Sequence, residues 1–223
     1  MTTVIGPTAQ PLSRLMREGS RAEHEAAETS AFAEALLRGE VNADGYGAYL
    51  LRLSRIYDAL ERTGHRLADD PVAGVVVDRA LERRDALAAD LDHWIGPHWA
   101  SLPVDSPATE TYVQRIRASS SRWSGLFVAH HYTRYLGDLS GGQAIGRVVT
   151  RTYAPPEGVG TAFYAFEGIT KPKPYKDAYR ARLDALPLEE SDKRRIEDEV
   201  RIAFALNSAV FAELAERMDE YAA

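Results

Sequence analysis

Apolar positions along the chain recur at intervals of three and four. Tyr46, Tyr49, Leu50, Leu53, Ile56, Tyr57 and Leu60 form one such series, and Ile196, Val200, Ala203, Phe204, Asn207, Val210, Phe211, Leu214 and Met218 form another. That spacing puts each set on one face of an α-helix. Val75, Val76, Arg79, Leu87, Leu91 and Trp94 suggest a further helix with a weaker start. Proline marks the boundaries: none falls within Leu12–Asp70, Ala108–Ala154 or Leu188–Ala223. A proline inside a helix costs about 3 kcal/mol, so these spans are free to be helical. No stretch alternates strictly between hairpin signals, as half-buried strands would. Asp44 is expected to cap a helix opening at Gly45, and Asp69-Asp70-Pro71 to start the next. Gly96-Pro97, Pro155-Pro156-Glu157-Gly158 and Lys171-Pro172-Lys173-Pro174 read as breaks, the last preceding a helix near Tyr175–Leu186. The pattern predicts a single all-α domain of about eight helices over residues 12–223, preceded by a flexible segment over 1–11.

Composition narrows what such a domain can do. Of 223 residues none is cysteine. This removes disulfides, thiolate metal sites, iron–sulfur clusters and a cysteine nucleophile, leaving six histidines as the main source of a metal ligand. A net charge of −6 argues against general nucleic-acid binding. Met1–Ser13 has neither the basic start nor the apolar run of a signal peptide. The longest uncharged helical stretch, Ile202–Ala212, falls well short of a bilayer span. A cytoplasmic monomer without a membrane anchor is the expectation.

Four features depart from ordinary helix composition. Arg17, Arg21, His24 and Glu28 share one helical face. They form either a solvated stripe of i,i+4 pairs, or a metal-binding histidine with a carboxylate one turn on and arginines placed for anionic groups. Gly137, Gly141 and Gly142 interrupt the series Ala129, Tyr132, Leu136, Leu139, Ile145 and Val148, at a cost of about 3 kcal/mol relative to alanine. Bare backbone is therefore needed there, for tight helix packing or for a flat ligand lying against the helix. Arg134 and Asp138 sit one turn apart beside the same glycines, as an ion pair or as a group that holds a water for proton delivery. Lys176 and Arg180, flanking Tyr179, form a basic edge or a clamp for carboxylates. Asn207 breaks the apolar stripe of the last long helix, for structural reasons or in a network with Tyr57 and Asp138.

The segments Ser20–Glu28 (SRAEHEAAE), Ala129–Gln143 (AHHYTRYLGDLSGGQ), Tyr175–Arg182 and Ala203–Leu214 (AFALNSAVFAEL) resemble the haem oxygenase family in order and spacing, over about Leu12–Leu214. The resemblance implies an all-α domain with haem b held between a proximal and a distal helix, as both substrate and oxygen activator. It implies His24 as the iron ligand with Glu28 as its acidic partner. Gly137, Gly141 and Gly142 belong to the distal helix, and Asp138 to the acid that orders distal water, with Arg134, Tyr57 and Asn207 as its partners. Tyr132 matches a pocket tyrosine. Lys176 and Arg180, together with Arg17 and Arg21 where the family often has lysine, match the groups that hold the propionates. The implied reaction uses molecular oxygen and electrons from a ferredoxin or flavoprotein reductase to give biliverdin, carbon monoxide and ferrous iron. The type that fits is the bacterial one without a membrane tail. Arg115, Arg117, Arg122, Lys171 and Lys173 are candidate docking charges for the electron donor. A haem-binding protein without turnover and a haem-free helical module are the rival readings.

Overall fold

All three proline-free spans are helical, broken only by short turns. The structure, a computed structural model, describes residues 10–223. The segment expected to be flexible lies outside them, apart from Gln10 and Pro11. The helices are α1 (Leu12–Gly19), α2 (Arg21–Glu28), α3 (Ala31–Arg38), α4 (Ala43–Arg66), α5 (Arg84–Trp94), α6 (Pro107–Arg122), α7 (Ser124–Gly137), α8 (Gln143–Tyr153), α9 (Pro172–Asp184), α10 (Glu190–Ala215) and α11 (Met218–Tyr221). Among the described residues there is no strand, only an isolated bridge between Val41 and Ala222. Among the described residues the α-helices number eleven rather than about eight, because four of eight residues or fewer (α1, α2, α3 and α11) carry too little periodicity to be separated by pattern.

Four boundaries differ from expectation, each for a local reason. The single face expected for Arg17, Arg21, His24 and Glu28 is broken: Ser20 leaves helical geometry and donates its hydroxyl to Met16 O at 2.7 Å, so Arg17 ends on α1 and the other three on α2. Asn42, not Asp44, caps α4: its side chain accepts from Gly45 N at 2.9 Å. The weak start of the Val75–Trp94 pattern is not α-helix. Asp70 Oδ1 accepts from Val72 N and Ala73 N, and Asp78 Oδ1 from Ala80 N, which fold the chain into tight 3₁₀ turns at Gly74–Val76 and Arg79–Leu81. The helix begins only where the buried Glu61 carboxylate accepts from Arg83 N and Arg84 N. Pro172 and Pro174 fall in the first turn of α9, where a missing N–H costs nothing, so the expected loop is helix.

The core is built around α7, in which every residue from Gly125 to Leu136 is buried. It packs on α6 and α10, while α10 also meets α1, α2 and α3. α4 packs on α5 and α6 and sends Tyr57 edge-on against Tyr135 of α7 at 5.6 Å. The feature that shapes the site is the passage from α7 to α8. Asp138–Gly142 is a single wide π turn, so the two helices run on as one bent rod. The Ser140 hydroxyl donates back to Leu136 O at 2.8 Å, a bond that favours such a bend. On the outer side the Gln143 amide donates to Tyr164 O at 2.8 Å. A Cβ at Gly146 would lie 3.0 Å from Tyr164 Cβ, so glycine is what lets this loop close on α8.

Candidate active site

A cleft lies between α2 and the bent α7–α8 rod, with two connected lobes of about 470 and 280 Å³. The lobes share His24, Glu28, Thr133, Gly137, Gly141 and Phe204. Arg17, Arg21, Ser20, Tyr132 and Arg180 make the larger lobe polar and cationic. Leu36, Ile145, Phe163, Tyr164 and Phe211 make the smaller one largely apolar. A planar ligand with a charged end and a hydrocarbon end matches that division.

His24 projects from α2 into both lobes. Its Nδ1 lies 3.4 Å from Glu28 Oε2, one turn on, and the Phe204 ring of α10 meets the imidazole edge-on at 5.3 Å. A carboxylate at Nδ1 leaves Nε2 as the free donor atom. Gly137 and Gly141 form the cleft wall on the other rod: a Cβ on either would meet no other group within 4 Å. Gly142 lines the smaller lobe, and a Cβ there would stand 3.5 Å from the Tyr164 ring. Two of the three glycines thus keep open space open, and the third tolerates a neighbour.

Behind the glycines lies a closed polar network. The Tyr57 hydroxyl donates to Asp138 Oδ2. Arg134 donates through Nε to the Tyr57 oxygen at 3.2 Å and through Nη1 to Asn207 Oδ1 at 2.6 Å, and its Nη2 lies 3.6 Å from Asp138 Oδ1. Arg134, Asp138 and Tyr57 are all buried. Burial pushes the Asp138 carboxyl above the usual carboxylate range, against the pull of Arg134, the Tyr57 bond and Arg83. Burial also pushes the Tyr57 hydroxyl well up, so it stays protonated as the donor. Asp138, Arg134 and Asn207 line the smaller lobe, whereas Tyr57 stands behind them and reaches it only through its bonds.

The basic residues divide. Arg17, Arg21 and Arg180 line the larger lobe, and neither Arg17 nor Arg21 has an ion-pair partner among the described residues. Arg180 meets Asp177 at 3.3 Å, yet its Nε is buried with no hydrogen-bond partner among the described residues. Lys176, expected beside it, does not line the cleft: its Nζ donates to Ser140 Oγ at 2.7 Å, fastening α9 to the π turn. Partial burial and the Arg180 charge push its ammonium below the usual lysine value. Of the candidate docking charges, Arg115 is held by the Glu199 carboxylate and Lys173 by Asp177. Ser20, Thr133, Leu136 and Phe204 also line the shared or cationic part, without having been expected there, although Phe204 sits one turn before Asn207 on the same helix. Phe163 and Tyr164 come from a 3₁₀ turn that gives no periodic signal.

No helix among the described residues is long and apolar enough to cross a membrane. A family model described as "Heme oxygenase" matches residues 10–213. Rat "Heme oxygenase 1" is 38% identical over 208 residues, covering 92% of this chain and 72% of the relative. The crystal structure of heme oxygenase-2 from Synechocystis sp., in complex with heme and NO, superposes with a TM-score of 0.91 at 34% identity, covering 95% of this chain and 88% of that one. Heme oxygenase from Leptospira interrogans superposes with a TM-score of 0.86 at 37% identity, covering 92% and 100%. Likeness of this extent in both sequence and fold, around a cleft that joins a histidine to an open glycine wall, leaves one assignment: the chain belongs to the haem oxygenase family, enzymes that degrade haem.

Proposed function

We propose that the chain holds haem b through His24 and cleaves its ring oxidatively to biliverdin, carbon monoxide and ferrous iron. The observation that carries this reading is one cleft that brings His24, the bare backbone of Gly137 and Gly141, and the buried acid Asp138 to a common space. The residues present suit the group. A neutral imidazole is the iron donor that a cysteine-free chain can offer. The glycine wall accepts a flat face, the apolar lobe accepts vinyl and methyl edges, and Arg17, Arg21 and Arg180 accept two propionates. The partnerless Nε of Arg180 is a buried donor in want of an acceptor, which a carboxylate supplies.

Bound haem supplies oxygen activation and is itself the carbon framework that is oxidised. The protein's part is steric and protonic. Glu28 orients His24 through Nδ1, and Phe204 supports the ring. With haem held by His24, Gly137 and Gly141 would leave open space on their side of it and offer no side chain that could ligate the iron. Asp138, aimed by Tyr57 and Arg134, holds distal water and passes a proton through it. Arg134 stays charged and, bonded to Asn207, keeps that acid from turning away. Tyr132 closes the edge of the cationic lobe. Electrons come from a ferredoxin or flavoprotein reductase, and the enzyme works as a cytoplasmic monomer, a setting in keeping with a chain that has no cysteine.

Titrating the purified protein with hemin tests the reading. One equivalent should give a Soret band that reductant and oxygen convert to biliverdin absorption. His24→Ala should lose the histidine-ligated spectrum. An unaltered spectrum in that variant, or intact haem after turnover, would overturn the proposal.

A further inference from the structure

One buried polar contact is used by neither the iron side nor the distal network. The Tyr179 hydroxyl of α9 is bonded to His131 Nδ1 of α7 at 2.9 Å. Tyr179 is fully buried and His131 nearly so. Their rings lie near parallel, 14° apart with centroids at 5.8 Å, and His131 is backed by Tyr135 at 4.4 Å. Each partner neighbours a cleft residue in sequence, His131 beside Tyr132 and Tyr179 beside Arg180. Among the described residues Arg180 itself makes only the exposed bond to Asp177, so its place in the cleft is set by the placement of α9 rather than by its own partners.

We infer that Tyr179 is a positioning residue: its bond to His131 fixes where α9 stands on the distal helix, hence where Arg180 meets the macrocycle's carboxylate and which ring edge faces the glycines. Lys176, one turn earlier on α9, makes a second tie to the same bent rod through Ser140 of the π turn, so α9 is held on that rod at two points. Burial holds His131 neutral, its pKa down at about 3, and pushes the Tyr179 hydroxyl well up. The bond therefore joins two neutral groups and persists across any working pH. The inference rests on the reading of Arg180 as a carboxylate-binding group.

The test is the distribution of biliverdin isomers formed by the hemin-loaded protein with a chemical or enzymatic reductant, separated by chromatography. A merely structural tie would lower the melting temperature and leave that distribution alone. Tyr179→Phe, which removes one hydroxyl, should raise minor isomers severalfold while the Soret band remains. His131→Leu should do the same. His131→Asn, which keeps a polar atom near the Nδ1 position, should restore the wild-type distribution. Arg180→Ala separates the two layers. If it leaves the isomers unchanged, Arg180 does not seat the ring and the underlying reading fails. If it shifts them while Tyr179→Phe and His131→Leu do not, the positioning inference is overturned. Should Tyr179→Phe fail to bind hemin, the contrast between His131→Leu and His131→Asn decides in its place: equal distributions in those two overturn the inference.

Discussion

In the proposed mechanism Asp138 carries the proton chemistry. It is an acid buried beside a guanidinium and a phenol, so it neither dissociates as a surface carboxylate would nor rotates freely. Removing it should leave haem seated, since none of the proposed haem-holding charges depends on it. We expect Asp138→Ala to retain hemin binding within severalfold and to lower the single-turnover rate of biliverdin formation by about 10²-fold or more, the usual scale of general acid–base loss. A biliverdin yield equal to wild type would remove Asp138 from the mechanism. At this scale Arg134 and Asp138 were legible as an i,i+4 pair, and Asn207 as a polar intruder in an apolar stripe. Lys176 was legible only as a charge. Its partner Ser140 is 36 residues away, and nothing local distinguishes a lysine that meets a ligand from one that fastens two helices.

The bent α7–α8 rod explains why glycine is kept where alanine would be more stable. Gly137 has ordinary helical angles (φ −62°, ψ −49°), and a Cβ there would meet no other group within 4 Å. Gly137→Ala should therefore stabilise the haem-free protein by about 1 kcal/mol through reduced unfolded-state entropy. For a domain of this size that is a rise of roughly 2–4 °C in melting temperature. The same methyl occupies space proposed for the macrocycle face, so hemin affinity should fall. Calorimetry on the apo-protein and a hemin titration read the two signs separately. A fall in both would mean that the glycine serves packing. The sequence disclosed the cluster of glycines in this element, but not the π turn in which it lies. A π turn is not written in residue spacing, because it depends on Ser140 bonding back to Leu136 and on Gln143 gripping Tyr164 across a loop.

Across the molecule, one cluster around a buried carboxylate joins α6, α7 and α10. Glu199 of α10 accepts from His130 Nε2 of α7 at 2.9 Å and from Arg115 Nε of α6 at 2.7 Å. Burial alone would raise the Glu199 pKa, but His130 and Arg115 hold it down at about 2. A carboxyl depressed in the folded state binds fewer protons there than in the unfolded chain. Its stabilisation is present above the unfolded value near 4.5 and is lost as pH falls toward 2, by roughly 3 kcal/mol in all. His130, whose pKa burial lowers, adds to the loss as pH falls below its ordinary value of 6.5. Melting temperature should therefore drop steeply on acidification. Glu199→Gln should melt lower than wild type at neutral pH and show a shallower acid limb between about pH 4.5 and 2. Parallel acid limbs in the two proteins would remove Glu199 as the source.

The sequence by itself determined the all-helical class, the helix faces that make the core, His24 with its carboxylate one turn on, and the glycines beside Asp138. These follow from local geometry: the 3.6-residue period, the conformational cost of glycine and the exclusion of proline act within a turn or two of chain. The tertiary structure decided which charges stand free and which are spent. Arg17, Arg21 and Arg180 face the cleft, whereas Lys176 and Arg115 are tied to other helices. It also decided that Tyr57 stands behind the cleft wall, and that an apolar lobe drawn from α3, α8, α10 and a 3₁₀ turn adjoins the cationic one. Those outcomes depend on partners tens of residues apart, brought together by burial of surfaces that no single helix can cover alone.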